Sequence, residues 1–262
     1  MKNIYSKICF VILLSFVLIV FEQSCAKKPT VPANEMLSEL IAMSESPGAD
    51  WKFVKKKAYG IVKYYPEDPN ARIIFALALE QCGQRNNALD QLKEAVKLDK
   101  ENFFTNYSLG RLLLESDHPD EALGYLRTAE NLRQGDENTV ILLAKTTSLM
   151  GLYDESINCY ARLFKAGRYC GKVEPLNEIA LNLFRKGEYK KAESFLKHAL
   201  KIDRNNPTIM LNLGILLDKY LDQPKTAKMA YQNYIQLTLR NSGLEKKRAR
   251  ISERMAELDK GI

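Results

Sequence analysis

Histidine and tryptophan are the scarcest residues of this 262-residue chain, with two His and one Trp. The histidines stand apart, His118 before Pro119 and His198 beside Lys197, both in stretches that read as exposed. No HExxH, no GxSxG and no glycine-rich phosphate loop occurs. Acidic residues are dispersed and do not pair on a common face, so the convergent polar groups that catalysis needs are missing. Five cysteines are present, but none in a CxxC spacing, which excludes a zinc site or a disulfide framework. Val, Ile and Thr rarely alternate with polar residues, which argues against sheet. A net charge of +7 comes from basic residues scattered among acidic ones, the pattern of a solvated surface and not of a nucleic-acid footprint. The chain is therefore expected to be non-enzymatic, with no cofactor, no metal and no nucleic-acid partner.

What the sequence does have begins at its N-terminus. Lys2 and Lys7 precede an unbroken apolar run, Ile8 to Phe21, fourteen residues long. That is short for a spanning helix, which wants ~17–25 residues, and fits a signal-peptide core of ~7–15. Ser24-Cys25 after the run, then a polar linker with Pro29 and Pro32, resembles a bacterial lipoprotein processing site. The resemblance implies that Cys25 becomes the lipidated N-terminus of an exported chain held at a membrane surface. Glu22 departs from it, since an aliphatic residue is usual there. Two alternatives stand: cleavage after Ala26, leaving a soluble periplasmic protein, and retention of the run as an anchor. The expected division is signal 1–24, tether 25–34, a degenerate helical repeat 35–68, a repeat array 69–241 and a capping helix 242–262. Of the later cysteines, Cys82 and Cys159 read as small core residues. Cys170 reads as a loop thiol, with a Cys159–Cys170 bridge as the alternative in an oxidising compartment.

The array is legible in its small residues. Ala88, Ala122, Ser156, Ala192 and Ala227 recur at intervals of 34, 34, 36 and 35 residues. Twelve or thirteen residues before each lie Ala76, Gly110, Ala144, Ala180 and Gly214. Small residues in both places let two antiparallel helices cross closely. Leu92, Leu126, Tyr160, Leu196 and Tyr231 supply the bulk beside them, and Gly83, Gly151 and Gly187 mark turns. The stretch LFRKGEYKKAESFLKHAL (183–200) is the most regular unit.

This pattern resembles the tetratricopeptide repeat (TPR), a 34-residue helix–turn–helix unit. The expected fold is all-α: a superhelical α-solenoid of antiparallel helix pairs, with about five repeats, a degenerate unit before them and a C-terminal capping helix. In the degenerate unit Ala42 takes the small slot, and Trp51 and Phe53 cap the first face. Leu244, Ile251, Met255 and Leu258 give the last helix its apolar side. Two irregularities stand out: Leu163 and the two-residue insertion in 165–172, which predict a shifted junction between repeats three and four, and a turn one residue longer before Pro224.

The resemblance also implies a ligand groove lined by the first helices. Carried over position by position, its candidates are Ile73 and Leu77; Phe104, Tyr107, Arg111 and Leu114; Ile141 and Lys145; Asn177, Leu181, Phe184 and Arg185; and Leu211, Ile215 and Lys219. Such a row suits an amphipathic helix or extended peptide. Ile73 and Leu77 stand where the family's carboxylate clamp carries Lys and Asn, so clamp-type recognition of an acidic C-terminal tail is not expected. The implied function is a protein–protein interaction scaffold of the bacterial envelope that assists assembly of a complex. The alternative is a self-associating structural lipoprotein whose open repeat face meets another copy.

Overall fold

The computed structural model describes residues 33–165, 167 and 171–260. The expected signal, Cys25, most of the tether, and Cys170 with its alternative bridge lie outside the described residues. The helices fall into two compact units, one ending at Leu98 and the other beginning at Asp99.

The first unit holds α1 (Ala33–Glu45), α2 (Trp51–Tyr64), α3 (Pro69–Gln81) and α4 (Arg85–Leu98). Each packs on the next, and α1 also reaches α3. Leu37 and Leu40 of α1 meet Val54, Ala58 and Ile61 of α2 and Ala71, Ile74 and Ala78 of α3 in one buried cluster. Trp51, half-buried, packs against this cluster. Phe53 stays exposed, with the Lys57 ammonium 5.5 Å above its ring. Ala42 is exposed and does not take the small buried slot, since Leu37 and Leu40 turn the opposite side of α1 inward.

The second unit holds α5 (Phe103–Glu115), α6 (Pro119–Leu132), α7 (Glu137–Leu149), α8 (Tyr153–Lys165), α9 (Glu174–Arg185), α10 (Tyr189–Ile202), α11 (Pro207–Lys219), α12 (Pro224–Thr238) and α13 (Glu245–Asp259). Consecutive helices pack throughout, so each second helix lies between two first helices. Among the described residues every element is helix or turn.

Local chemistry sets the punctuation. Asp68, Asn102, Asp136 and Asn206 each cap a first helix, accepting hydrogen bonds from backbone N–H groups two or three residues on. Pro69 and Pro207 then occupy the first turn, where an N–H is not missed. α9 is the exception, for it starts from Val173 with no side-chain cap. Between helices the chain reverses through one left-handed residue, Gly83, Gly151 or Gly187, with φ of 75°, 75° and 78°. Where glycine is absent, Asp117 and Asp222 take that conformation at φ 64° and 50°. The amide of the fifth residue on closes four of the turns, as in Glu188 N–H to the Leu183 carbonyl; in the last, Gln223 donates to Leu217, one residue further. The longer turn expected from the sequence is present there.

The small slots are where the helices cross. Ala76, Ala144, Ala180, Ala88, Ala122, Ser156, Ala192 and Ala227 are all buried. A Cβ added at Gly110 would stand 2.6 Å from Leu126 Cγ, and one at Gly214 would stand 2.7 Å from the Tyr231 ring. These approaches are closer than carbon atoms tolerate, so glycine is required. Leu126 and Tyr231 are each almost wholly buried, worth roughly 1.5–3 kcal/mol for a side chain of that size.

α13 seals the end of the unit. Ile251 is buried, while Leu244, Met255 and Leu258 are half-buried. Arg248 donates to the carbonyls of Thr238 and Asn241, ending α12 with a cation where its dipole is negative. Arg254 reaches Asp218 on α11, and Lys228 meets Asp259 at 2.5 Å.

Candidate functional site

The first helices of the second unit leave an apolar cleft between α9 and α11. Its volume is about 210 Å³. Leu181 and Phe184 form one wall and Ile215 and Leu216 the other; Ala180, Ala192 and Leu196 make the floor, and Asn212 is its one polar lining residue. The cleft exists because the small residues that let α9 and α10 cross also remove bulk from its base. At one end Phe184, Tyr189 and Tyr220 form an aromatic cluster, with Phe184 and Tyr220 edge to face at 4.7 Å. Such pairs fix Phe184 as a rigid wall.

A second depression, about 590 Å³, lies at the irregular junction between repeats three and four. Ile141 and Lys145 of α7, Tyr160 and Leu163 of α8, and Lys172, Glu174, Pro175 and Glu178 line it. Leu163 fills the place where other repeats carry buried Ala95, Ala129 and Ala199. Burial, with the nearby Glu178 carboxylate, pushes the Tyr160 phenol well above its ordinary range, so it remains a neutral donor.

Between the two clefts runs a polar chain that the sequence reading missed. Ser156 donates to the Ala144 carbonyl at 2.7 Å and accepts from Asn182 Nδ2 at 2.8 Å. Asn182 Oδ1 accepts from Ser148 at 2.6 Å and from Arg185 Nη1 at 3.2 Å, and Arg185 also donates to Ser148 Oγ at 2.8 Å. Ser156 and Asn182 have no exposed surface. The available signal was Ser156 itself, a hydroxyl where the other repeats place a methyl.

On α5, Phe103, Phe104 and Tyr107 form an aromatic group, Phe103 and Tyr107 stacked at 5.8 Å. The Arg133 guanidinium lies 4.1 Å from the Phe103 centroid and 4.6 Å from that of Phe104. Burial raises the Tyr107 phenol, with Arg111 opposing. Arg111 in turn pairs with Glu115 at 2.9 Å.

The expected groove residues therefore divide. Phe104, Lys145, Arg185, Ile215 and Lys219 are exposed, and Tyr107, Arg111, Leu114, Ile141, Leu181 and Phe184 half-buried. Asn177 and Leu211 are buried and offer no open surface. Asn177 is drawn inward because its Oδ1 accepts from Asn212 of the next first helix at 2.8 Å, and Leu211 is closed off at the equivalent place one repeat later. In the first unit Ile73 is half-buried and Leu77 exposed.

Chemically the described face offers apolar recesses near exposed cations. Among the described residues no group of three or more His, Cys, Asp or Glu could hold a metal ion. No described helix is long and apolar enough to cross a membrane. Cys159 is buried, which pushes its thiol up, and Cys82 is half-buried; both are free.

Residues 173–206 match the tetratricopeptide repeat family. No curated protein matches the chain. Solved structures do. YrrB, described as a TPR protein with an unusual peptide-binding site, superposes with a TM-score of 0.60 at 16% identity, over 70% of this chain and 93% of its own. MamA (from residue 41) of Desulfovibrio magneticus RS-1 gives 0.60 at 15% identity, over 66% and 97%. PilW, described as a widely conserved type IV pilus biogenesis factor, gives 0.59 at 15% identity, over 80% and 94%. At these identities the likeness establishes the fold alone: all-α, with consecutive antiparallel helix pairs packed as in TPR solenoids.

Proposed function

We propose that this protein is a non-enzymatic scaffold of the bacterial envelope that holds a peptide or amphipathic helix on its first-helix face and assists assembly of an envelope complex. The observation that carries the reading is the apolar cleft between α9 and α11, walled by Leu181, Phe184 and Ile215. Its walls alternate along two parallel helices, which suits apolar side chains projecting from one side of a ligand segment. The peptide-binding site named for YrrB and the pilus-biogenesis role named for PilW support the reading by analogy of fold. Export and attachment through Cys25 rest on the N-terminal sequence pattern.

The test places a photo-crosslinking amino acid at Ile215 of the full chain and irradiates intact cells. A cross-linked second polypeptide is expected, lost when Leu181→Arg is added while helical circular dichroism is unchanged. Cross-linking indifferent to Leu181→Arg sends the binding surface elsewhere, and a product of two copies of this chain favours self-association. Detergent partitioning of wild type against Cys25→Ser tests the anchor; equal partitioning with the signal cleaved in both removes it.

A further inference from the structure

Resting on that reading, we infer that the segment bound on the first-helix face pairs an acidic side chain with a large apolar one, and that Arg185 receives the carboxylate. Arg185 follows Phe184, a wall of the apolar cleft, and reaches from the end of α9 toward Ser148 of α7. Its hydrogen bonds among the described residues go to Ser148 Oγ and Asn182 Oδ1, both neutral. No carboxylate there answers its charge, in contrast to Arg111, Arg127, Arg162 and Arg254, each of which meets a glutamate or aspartate. Arg185 is nonetheless not a loose surface cation. Asn182, fully buried, is itself oriented by Ser148 and Ser156, so the chain of hydrogen bonds aims the guanidinium from behind.

A guanidinium has five N–H donors, and Nη1 accounts for both bonds described, so the Nε and Nη2 edge remains to grip a carboxylate with two parallel bonds. Such a fork, already oriented, loses little freedom on binding. Lys145, exposed on α7 three residues before Ser148, lines the neighbouring depression. That depression is of mixed charge, Lys145 and Lys172 with Glu174 and Glu178, but along α9 itself the two acids lie toward the N-terminal end and Arg185 at the C-terminal end. A ligand matched to it carries its acidic residue at the Arg185 end and its apolar residue in the Leu181–Phe184–Ile215 cleft.

The test is selection of displayed random peptides on the full chain and, in parallel, on Arg185→Gln, Arg185→Lys and Leu181→Arg, each first checked for wild-type thermal unfolding. The wild type is expected to enrich peptides with Asp or Glu a few residues from a large apolar residue. Arg185→Gln keeps the apolar preference and loses the acidic one, weakening a selected peptide about ten- to hundredfold; Arg185→Lys recovers part. Apolar peptides sensitive to Leu181→Arg but indifferent to Arg185 overturn the proposal and leave the groove standing. Selections unchanged by Leu181→Arg, or no enrichment on the wild type, overturn both. A shift in unfolding with Arg185→Gln but no change in acidic preference also overturns it, for Arg185 would then be structural.

Discussion

Arg254 closes on Asp218 with two hydrogen bonds, Nη2 to Oδ1 at 2.9 Å and Nε to Oδ2 at 3.1 Å, fastening the last helix to the last repeat. Tyr231 adds a third at 3.0 Å, and the Asp218 side chain has no exposed surface. Burial pushes this carboxyl up, but Arg254 and Tyr231 more than offset it and hold it below its ordinary 3.8. A carboxyl with a depressed folded pKa stabilises the fold above its unfolded value and loses that contribution as pH falls through the folded value. Asp218→Asn is expected to cost about 1–3 kcal/mol at pH 7. Thermal unfolding of variant and wild type should converge as pH falls below 3.8 and through the lowered folded pKa. An unfolding gap constant from pH 7 to the acid limit would sink the ionic account.

Ser156→Ala restores the residue that Ala88, Ala122, Ala192 and Ala227 represent, yet it should destabilise. It removes the acceptor for a buried Asn182 N–H and the donor to the Ala144 carbonyl. An unanswered buried polar group costs about 1–3 kcal/mol. Chemical denaturation checks this, and Ser156→Ala with Asn182→Leu should recover much of the loss because the orphaned amide is gone. A neutral or stabilising single variant would refute the account.

Gly214→Ala sets a helix-propensity gain of about 1 kcal/mol against a clash with Tyr231. Tyr231 cannot swing away while its hydroxyl is held by Asp218, so overpacking of about 1–3 kcal/mol wins. The variant should unfold at lower denaturant. Pairing it with Tyr231→Phe, which frees the ring, should cost less than the two single changes added together.

Glu188 lies between Lys186, at 2.8 Å, and Lys191, at 2.5 Å, just before α10. Hydrogen bonds from both ammonium groups bring its carboxyl to about 2. Side-chain carboxyl NMR should find Glu188 ionised when ordinary glutamates are half protonated near 4.5. Lys186→Met should move its midpoint back upward; a midpoint unmoved by that change contradicts the pairing.

The repeat was legible because its requirements are local. A buried small residue on each of two helices and a left-handed turn between them leave a period, and Gly110, Gly214 and Gly187 carry it in their types alone. The turn before Pro224 could be counted directly. The site was legible only where position within the repeat decides exposure. Leu181, Phe184 and Ile215 line one cleft. Asn177 and Leu211 do not, because closure by a neighbouring helix depends on side chains one repeat away, such as Asn212. Asn182 was invisible for a related reason: its value comes from Ser148 and Ser156, 34 and 26 residues off.

The latch at Asp218 also bears on how such a chain can lengthen. Between the earlier repeats the described links that involve a buried side chain are neutral, as from Asn212 to Asn177 and from Asn182 to Ser156. The fifth presents a buried carboxylate whose two-pronged partner, Arg254, comes from the terminal helix. A copy of any earlier repeat spliced between α12 and α13 would leave that charge without Arg254. Duplication is thus penalised at this end, and the last repeat and its terminal helix must be inherited as a single module.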